Sequence, residues 1–219
     1  MTITTSGPIE TGSTATTYSE LQQQVSDFLA RSDLADFIPT FINMAEDWFN
    51  YGTDDMAPLR VREMEEVEEL EPTSGACDVP DDFLQHIRAV EVGSIRRVLS
   101  YITPDQAEFR HATRDGGIPV DFTIVGSSLY MFPLSSNDIE LTYYAKIPQL
   151  VTAETNWLLQ KAPTLYLRAT LAVAADFIKD NEEAAKNLML TKALMAGLNR
   201  SDMIGRYARA GYTGQGYWP

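Results

Sequence analysis

Six glutamates lie within nine residues before the middle of the chain, and they are the first residues that could do chemistry. They are Glu63, Glu65, Glu66, Glu68, Glu69 and Glu71. Two carboxylates at catalytic separation could hydrolyse a glycosidic bond, provided that burial raised the pKa of one of them. The run lacks the Asp-x-Asp-x-Asn-Gly order of a calcium-binding loop. It is more typical of a solvated strand or loop face. The alternative is a glycan hydrolase that uses two carboxylates of this run, or Asp81 and Asp82.

Histidine, cysteine and glycine motifs provide no second candidate for a catalytic, metal-binding or phosphate-binding site. His86 and His111 are the only histidines, and neither belongs to a His-Glu-x-x-His motif or lies near a Gly-x-Ser-x-Gly elbow. Cys77 is the only cysteine, which excludes an intramolecular disulfide and a cysteine-rich zinc site. Gly214 and Gly216 lack the preceding strand and following helix of a phosphate-binding loop. We therefore expect no enzymatic activity, no cofactor and no bound metal.

Basic and aromatic residues collect in the last twenty positions, among four glycines. They are Arg200, Arg206, Tyr207, Arg209, Tyr212, Tyr217 and Trp218. Tyrosine, tryptophan and arginine are the residues that most often anchor interfaces, and the glycines keep the segment flexible. The composition predicts a segment that becomes ordered on a partner. A frayed end without a function is the alternative.

Length and composition describe a globular protein with an acidic body. The chain has 219 residues, of which 44% are hydrophobic, and a formal charge of −14. Residues 184–219 carry a local charge of +4, so the remainder carries −18. This balance argues against nucleic acid as a tightly held ligand, because such binding requires clustered Lys and Arg. Neither a secretory signal nor an apolar run of the roughly 20 residues that span a bilayer is visible.

Two amphipathic helix patterns come first along the chain. Thr17 and Glu20 have the spacing of a capping box, and the apolar residues after them fall on one helix face. A second pattern runs from Ile38 to Phe49, with Pro39 in its first turn and Gly52 after its end. The two helices are expected to form a hairpin.

The middle of the chain changes to the period of a β-strand. Large or apolar residues alternate with polar ones from Ile139 to Ile147, and Phe122 to Pro133 has the form of a hairpin around Gly126. Shorter strands are predicted at Val61 to Leu70 and Leu84 to Val92. These segments predict a small antiparallel β region inserted between helices.

Two further helices follow. The segment from Thr164 to Ile178 is apolar nearly all round, so we expect it to be the centre of a helical bundle. After a break at Asp180 and Asn181, Glu182 to Leu198 forms the last helix. Its apolar residues lie on one face: Ala185, Leu188, Met189, Ala193 and Ala196.

The predicted fold class is α+β, mainly α: a helical bundle with an inserted small antiparallel β region and an extended C-terminal tail. The bundle comprises residues 17–60 and 150–199, and the β-rich lobe comprises residues 61–149. Residues 1–16, rich in Thr, Ser and Gly, form a disordered arm, and residues 200–219 form the tail. The expected core residues of the bundle are Phe41, Trp48, Trp157, Leu165, Leu171 and Phe177.

Several short motifs give the chain a resemblance to a known family. In the second half they are Tyr143-Tyr-Ala-Lys-Ile-Pro148, Thr155-Asn-Trp-Leu-Leu159, Ala162-Pro-Thr-Leu-Tyr166 and the Ala-rich segment from Leu171 to Asp180. Upstream they are Val79-Pro-Asp-Asp-Phe-Leu84, Gly117-Ile-Pro119 and the hairpin from Phe122 to Pro133. In this order, from Tyr18 to Leu198, the sequence resembles the head-to-tail adaptor proteins of short-tailed bacteriophages.

The resemblance implies a non-enzymatic virion subunit with several partners. Such adaptors form a ring, usually twelvefold, that lies under the portal, extends the DNA channel and offers a platform for the tail. The implied partners are the portal protein, a tail nozzle or tail-hub protein and further copies of the chain, with DNA present only transiently and no membrane. The protein would be assembled in the host cytoplasm and reside in the virion neck, with the basic aromatic tail on the portal. A virion-associated glycan hydrolase and another neck or tail component are the alternatives.

Overall fold

The computed structural model describes residues 15–112 and 117–207, in which helices hold 49% and strands 25% of the residues. The α-helices are α1 (Tyr18–Leu29), α2 (Ile38–Tyr51), α3 (Pro104–Arg110), α4 (Leu150–Ala153), α5 (Trp157–Lys161), α6 (Pro163–Phe177) and α7 (Asn181–Tyr207). The strands are β1 (Glu65–Leu70), β2 (Ala76–Asp78), β3 (Phe83–Val92), β4 (Arg96–Tyr101), β5 (Asp121–Val125), β6 (Ser128–Phe132) and β7 (Asp138–Ala145). Short 3₁₀ helices, Ser32–Phe37 and Arg62–Met64, precede α2 and β1. None of the helices in the two described ranges combines the length and the apolar character needed to cross a membrane.

The chain divides into two compact units. The helical unit consists of residues 1–59 and 147–219, and the sheet unit consists of residues 60–146. Helices α1, α2 and α4 to α7 belong to the helical unit, whereas α3 and the strands belong to the sheet unit.

The sheet has seven strands in the order β1-β7-β3-β4-β5-β6-β2 and is curled. Neighbouring strands are antiparallel except for β4 and β5, where Ser100 lies opposite Asp121 in a parallel pair. Parallel neighbours require a crossover connection, and the segment that contains α3 provides it between Tyr101 and Asp121. The sheet is therefore mixed.

The predicted fold class, a mainly α helical bundle with a small antiparallel insertion and an extended tail, is wrong. The sheet is a large mixed one, and the region predicted as an extended tail begins inside α7, which remains helical to Tyr207. Strands β2 and β4 were not predicted from the sequence, because β2 has only three residues and Leu99 is the one buried side chain of β4. Residues 208–219 of the predicted tail lie outside the described residues.

The predicted N-terminal arm is described only at its end. Ala15 is buried, and the backbone N–H of Thr16 donates to Glu20 Oε2 at 2.8 Å. Thr17 and Glu20 form both hydrogen bonds of the predicted capping box, so α1 starts where the sequence placed it. Residues 1–14 lie outside the described part of the chain.

One face of the sheet carries the apolar core of the sheet unit. Strand β7 alternates as the sequence predicted, because Ile139, Leu141 and Tyr143 are buried while Glu140 and Thr142 lie on the other face. The neighbouring strands add further buried residues: Leu70, Ala89, Leu99, Phe122, Leu129 and Met131. The opposite face of the central strands carries charged and polar side chains together with the buried Val90.

Helix α6 lies at the centre of the helical unit, where it packs against α1, α2 and α7. Near its start, the ring of Tyr166 meets the ring of Phe49, close to the end of α2, with centroids 5.0 Å apart. Near its end, the ring of Phe177 meets that of Phe41, close to the start of α2, at 5.3 Å. Helices α2 and α6 are therefore antiparallel.

Helix α7 follows α6 after a short turn and returns along it, with Arg168 donating to Asn187 Oδ1 at 3.1 Å. The buried residues on its inner side are Asn187, Thr191 and Met195, two of which are polar. The apolar face that the sequence indicated is mostly turned to solvent. Its exposed members are Ala185, Met189, Ala193 and Ala196.

The expected core residues of the helices differ in burial. Phe41, Leu165 and Leu171 are buried, whereas Trp48 and Trp157 are half-buried. Phe177 is 52% exposed, so its assignment to the core is wrong. It is the last residue of α6, and its ring packs on the rings of Phe37 and Phe41 while one side remains open to solvent.

Candidate functional site

The glutamate run lies mainly on β1, at one edge of the sheet. Successive side chains of an extended strand point to opposite faces. Glu66 and Glu68 share the face that carries the core, whereas Glu65 and Glu69 share the other face. The run is therefore divided between two faces and does not form one carboxylate cluster.

The exposure of β1 explains the acidic run better than catalysis does. Four of its residues, Glu66 to Glu69, are exposed, and among the described strands β1 pairs with β7 alone. An open strand edge can pair with a strand of another molecule, and repeated charge discourages such pairing. The acidic run keeps this edge of the sheet solvated.

The outer face of the central strands carries a ladder of opposite charges. The guanidinium groups of Arg88 and Arg96 lie 3.6 and 2.7 Å from the two carboxylate oxygens of Glu140. The hydrogen bond from Arg96 lowers the pKa of Glu140 below its ordinary value. Arg60 lies over the ring of Tyr144 at 5.7 Å on the same face. The two arginine side chains are about half exposed, and ion pairs of this kind contribute little stability.

Asp81 and Asp82 have structural contacts. The carboxylate of Asp82 accepts a hydrogen bond from the hydroxyl of Tyr143 at 3.0 Å. Burial and this carboxylate raise the pKa of Tyr143. The side chain of Lys146 donates to the backbone oxygen of Asp81, and its backbone N–H donates to that of Asp82. These bonds attach the loop before β3 to the end of β7.

The histidines and the cysteine also pack into the sheet unit. His86 stacks on Tyr101 with ring centroids 4.5 Å apart, and burial lowers the pKa of His86. His111 Nε2 lies 3.0 Å from Asp121 Oδ2. Burial raises the pKa of the Cys77 thiol to about 11, so the thiol stays protonated near neutral pH. Within residues 15–112 and 117–207, no group of three or more His, Cys, Asp or Glu side chains could hold a metal ion.

A buried carboxylate in the helical unit was missed by the sequence analysis. Glu46 of α2 is 1% exposed, and its Oε1 accepts hydrogen bonds from the Leu150 N–H at 2.9 Å and the Tyr166 hydroxyl at 3.3 Å. Burial raises the pKa of Glu46. The sequence did carry a signal, because Glu46 stands four residues after Ile42 and three before Phe49, both on the buried face of α2.

Neighbouring side chains extend this buried network. Asn50 Oδ1 accepts a hydrogen bond from the backbone N–H of Ile147 at 3.0 Å. Asn156 donates to the Pro148 carbonyl and to the Tyr166 hydroxyl, both at 2.7 Å. Its Oδ1 caps α5 by accepting the N–H of residue 159 at 2.8 Å. The network thus holds the segment 147–159 against α2 and α6.

The residues predicted for the C-terminal docking segment are divided by the end of α7. Arg200 and Arg206 lie on α7, and Arg206 Nε donates to Asp202 Oδ2 at 2.5 Å, one helical turn away. Tyr207 is the last residue of α7, and its side chain is outside the described part. The other predicted residues lie outside the described residues: Arg209, Tyr212, Tyr217 and Trp218.

The residues first considered for chemistry lie on an exposed strand edge or make contacts within strands and loops. The chain matches the SU10 adaptor protein family over residues 16–213, and it belongs to that family. No curated protein matches the chain. The resemblance to phage head-to-tail adaptors that the sequence motifs indicated is confirmed.

Membership of this family gives the chain a coarse function. It is a structural adaptor protein of a bacteriophage. The family places it in the neck of the virion, in association with other virion components such as the portal and the tail.

Proposed function

We propose that this chain forms a ring under the portal, extends the DNA channel and provides the platform on which the tail is attached. The observation that carries the proposal is the family match, which covers residues 16–213 of 219. Twelve copies are proposed, as in the rings that the sequence motifs resemble. The portal protein contacts one side of the ring, and a tail nozzle or tail-hub protein contacts the other.

The charge of the chain supports a passage for DNA. A formal charge of −14 per subunit repels phosphate groups, so DNA can move through the ring without being retained. The acidic edge of β1 is the strongest local concentration of this charge among the described strands.

Contact with the portal is proposed for the C-terminal segment. Arg200 and Arg206 belong to α7, and Arg206 already has an acidic partner, Asp202. The portal-binding role is therefore centred on the residues after Tyr207. Arginine supplies charge-assisted hydrogen bonds there, and the tyrosines and tryptophan supply buried area.

The ring is tested by measuring the mass of the purified chain alone and after mixing with its portal. A complex with twelve subunits on each portal is expected. A chain that assembles only when the portal is present uses the portal as a template. A chain that stays monomeric under both conditions contradicts the proposed function.

The C-terminal contact is tested by truncation after Tyr207, which leaves α7 complete. We expect the truncated chain to melt at the wild-type temperature and to lose portal binding. Replacing Arg209 with Glu should weaken binding less, and the wild-type contact should weaken as salt rises. Undiminished binding of the truncated chain would assign residues 208–219 no role at the portal.

A further inference from the structure

The outward side of α7 carries a line of mostly apolar residues. Its buried side contains Asn187, Thr191 and Met195, whereas Met189 is 65% and Ile204 58% exposed. The exposed residues follow one another at intervals of three or four, which places them along one line of the helix. They form the α7 seam: Met189, Ala193, Ala196, Arg200 and Ile204. A helix that buries polar groups and exposes an apolar line is shaped for a neighbour outside its own subunit.

A glycine beside this seam supports the same conclusion. Gly197 lies inside α7, where glycine is less favourable than alanine because of its greater backbone freedom. A Cβ atom added to Gly197 would meet nothing within 4 Å. No described neighbour therefore requires the missing side chain. Small residues let a second helix approach closely, and Gly197 with Ala193 and Ala196 leaves such a space.

A second exposed line runs along α2. Its members are again three or four residues apart. They form the α2 seam: Phe37, the last residue of the 3₁₀ helix before α2, and Thr40, Met44, Asp47 and Tyr51 of α2. Phe37, Met44 and Tyr51 are large, exposed and separated by seven residues, as knobs are in two-helix packing. Each seam is about 21 to 22 Å long at 1.5 Å per residue. Met44, the middle large residue of the α2 seam, can face the small residues Ala193 and Ala196 of the α7 seam.

The direction of the helices permits the two seams to meet between copies. Helices α2 and α7 are both antiparallel to α6, as the contacts of Phe41 with Phe177 and of Arg168 with Asn187 show, so they run in the same direction. Rotation about an axis along the helices preserves that direction. In a cyclic assembly whose axis lies along these helices, α7 of one copy and α2 of the next are then parallel.

We propose that the α7 seam of one subunit packs on the α2 seam of a second copy of this chain, in a head-to-tail contact. The inference rests on the proposed ring and names its subunit contact. When the parallel seams are aligned from their first residues, Met44 lies opposite Ala196, beside Gly197, and Asp47 lies opposite Arg200. Within residues 15–112 and 117–207, neither Asp47 nor Arg200 makes a hydrogen bond or an ion pair. The contact gives each of them an oppositely charged partner.

Charge reversal tests the register. Asp47→Arg and Arg200→Asp should each raise the concentration needed for assembly by about tenfold or more, because each places like charges together. The double variant should return that concentration to near the wild-type value. Both positions are exposed, so the melting temperature of the isolated subunit should stay unchanged. Rings that tolerate both single reversals would overturn the proposal.

A mixing experiment tests which two faces meet. Gly197→Leu blocks the α7 seam and Met44→Glu blocks the α2 seam, and neither variant alone should form rings. An equimolar mixture retains one intact seam on each variant, so native mass spectrometry should record heterodimers and nothing larger. Val151→Glu, an exposed apolar residue of α4 outside both seams, is the matched control and should assemble normally.

The outcomes separate the subunit contact from the proposed function. If the Gly197→Leu and Met44→Glu variants each still form rings, the seam contact is wrong and the proposed ring is unaffected. A mixture that forms no heterodimers, while the wild type forms rings, also overturns it. A wild-type chain that remains monomeric, alone and on its portal, overturns the contact and the ring together.

Discussion

The two units of this protein have interiors of different chemical character. The core face of the sheet is lined by aliphatic and aromatic residues. The helical unit encloses six polar side chains besides its apolar ones, whereas the described part of the sheet unit encloses three, Glu91, Asp121 and Thr123. The six of the helical unit are Glu46, Asn50, Asn156, Thr170, Asn187 and Thr191. Both units have buried apolar cores, and they differ in the number of polar side chains enclosed there.

The backbone explains this difference. In the sheet, strands satisfy the backbone N–H and carbonyl groups of their neighbours, so most of the core can consist of apolar side chains. In the helical unit, the segment 147–159 contains the short helix α4 and the start of α5, joined by loops. Backbone groups in these loops and at the helix starts need side-chain partners. Glu46, Asn50 and Asn156 provide them. The burial of these three side chains thus satisfies backbone groups of the segment 147–159.

The largest expected effect comes from placing a charge in either core. Leu165→Asp in α6 and Leu141→Asp in β7 each bury an unpaired carboxylate at a fully buried position. The cost is several kcal/mol against a total stability of about 5 to 15 kcal/mol. We expect loss of the cooperative thermal transition of the affected unit by circular dichroism. A soluble Leu165→Asp variant with the wild-type melting temperature would contradict the central position of α6.

A smaller loss of stability is expected when the buried carboxylate of Glu46 is replaced. Glu46→Leu removes the acceptor of the Leu150 N–H and the Tyr166 hydroxyl, which should cost about 1 to 3 kcal/mol for the unsatisfied groups. Glu46→Gln keeps an acceptor oxygen and should cost less. Urea denaturation of the two variants measures the difference. Equal losses would show that volume matters at this site and hydrogen bonding does not.

The same residue predicts a dependence of stability on pH. The pKa of Glu46 is raised in the folded state, so the folded chain binds more protons than the unfolded chain between the two pKa values. Its contribution is fully present below the unfolded pKa of about 4.3 and is lost as pH rises through the folded pKa, by about 1.4 kcal/mol for each pH unit that separates the two pKa values. The free energies of unfolding of the wild type and of Glu46→Gln are measured by urea denaturation from about pH 4 to 8, and their difference isolates this slope. A difference that does not vary with pH would contradict it.

The sequence predicted the parts of the fold in which local pattern and final burial agree. Alternation along Ile139 to Ile147 located β7, and the turn at Gly126 located the β5–β6 hairpin. The capping box at Thr17 and Glu20 located the start of α1. The adaptor motifs identified the family although no residue of a chemical site carried that information. In each case a few neighbouring residues determine the feature.

The sequence could not predict features that depend on partners distant in the chain. The parallel pairing of β4 with β5 is set by the connection through α3, and the short β2 has no periodicity of its own. The buried face of α7 was predicted wrongly because the apolar face was assumed to point inward, whereas Asn187 and Thr191 do so. Glu46 was overlooked because its partners, Leu150 and Tyr166, lie about a hundred residues further along.

The smallest expected effect compares one glycine from each unit. Gly197 lies in the interior of α7 and Gly126 in the β5–β6 turn, and an added Cβ meets nothing within 4 Å at either position. Gly126 has a φ of +62°, which L side chains rarely adopt, whereas Gly197 has helical backbone.

Substitution by alanine should therefore have opposite signs at the two positions. Gly197→Ala should raise the free energy of unfolding of the isolated subunit by about 0.5 to 1 kcal/mol, because alanine restricts the unfolded chain and fits the helix. Gly126→Ala should lower it by about 1 kcal/mol, because the turn forces alanine into the left-handed region. Differential scanning calorimetry of both variants measures the two shifts. If Gly197→Ala lowered stability, the space beside Gly197 would already be filled within the subunit, and the glycine would have a packing role there instead of one at a surface left open for a neighbour.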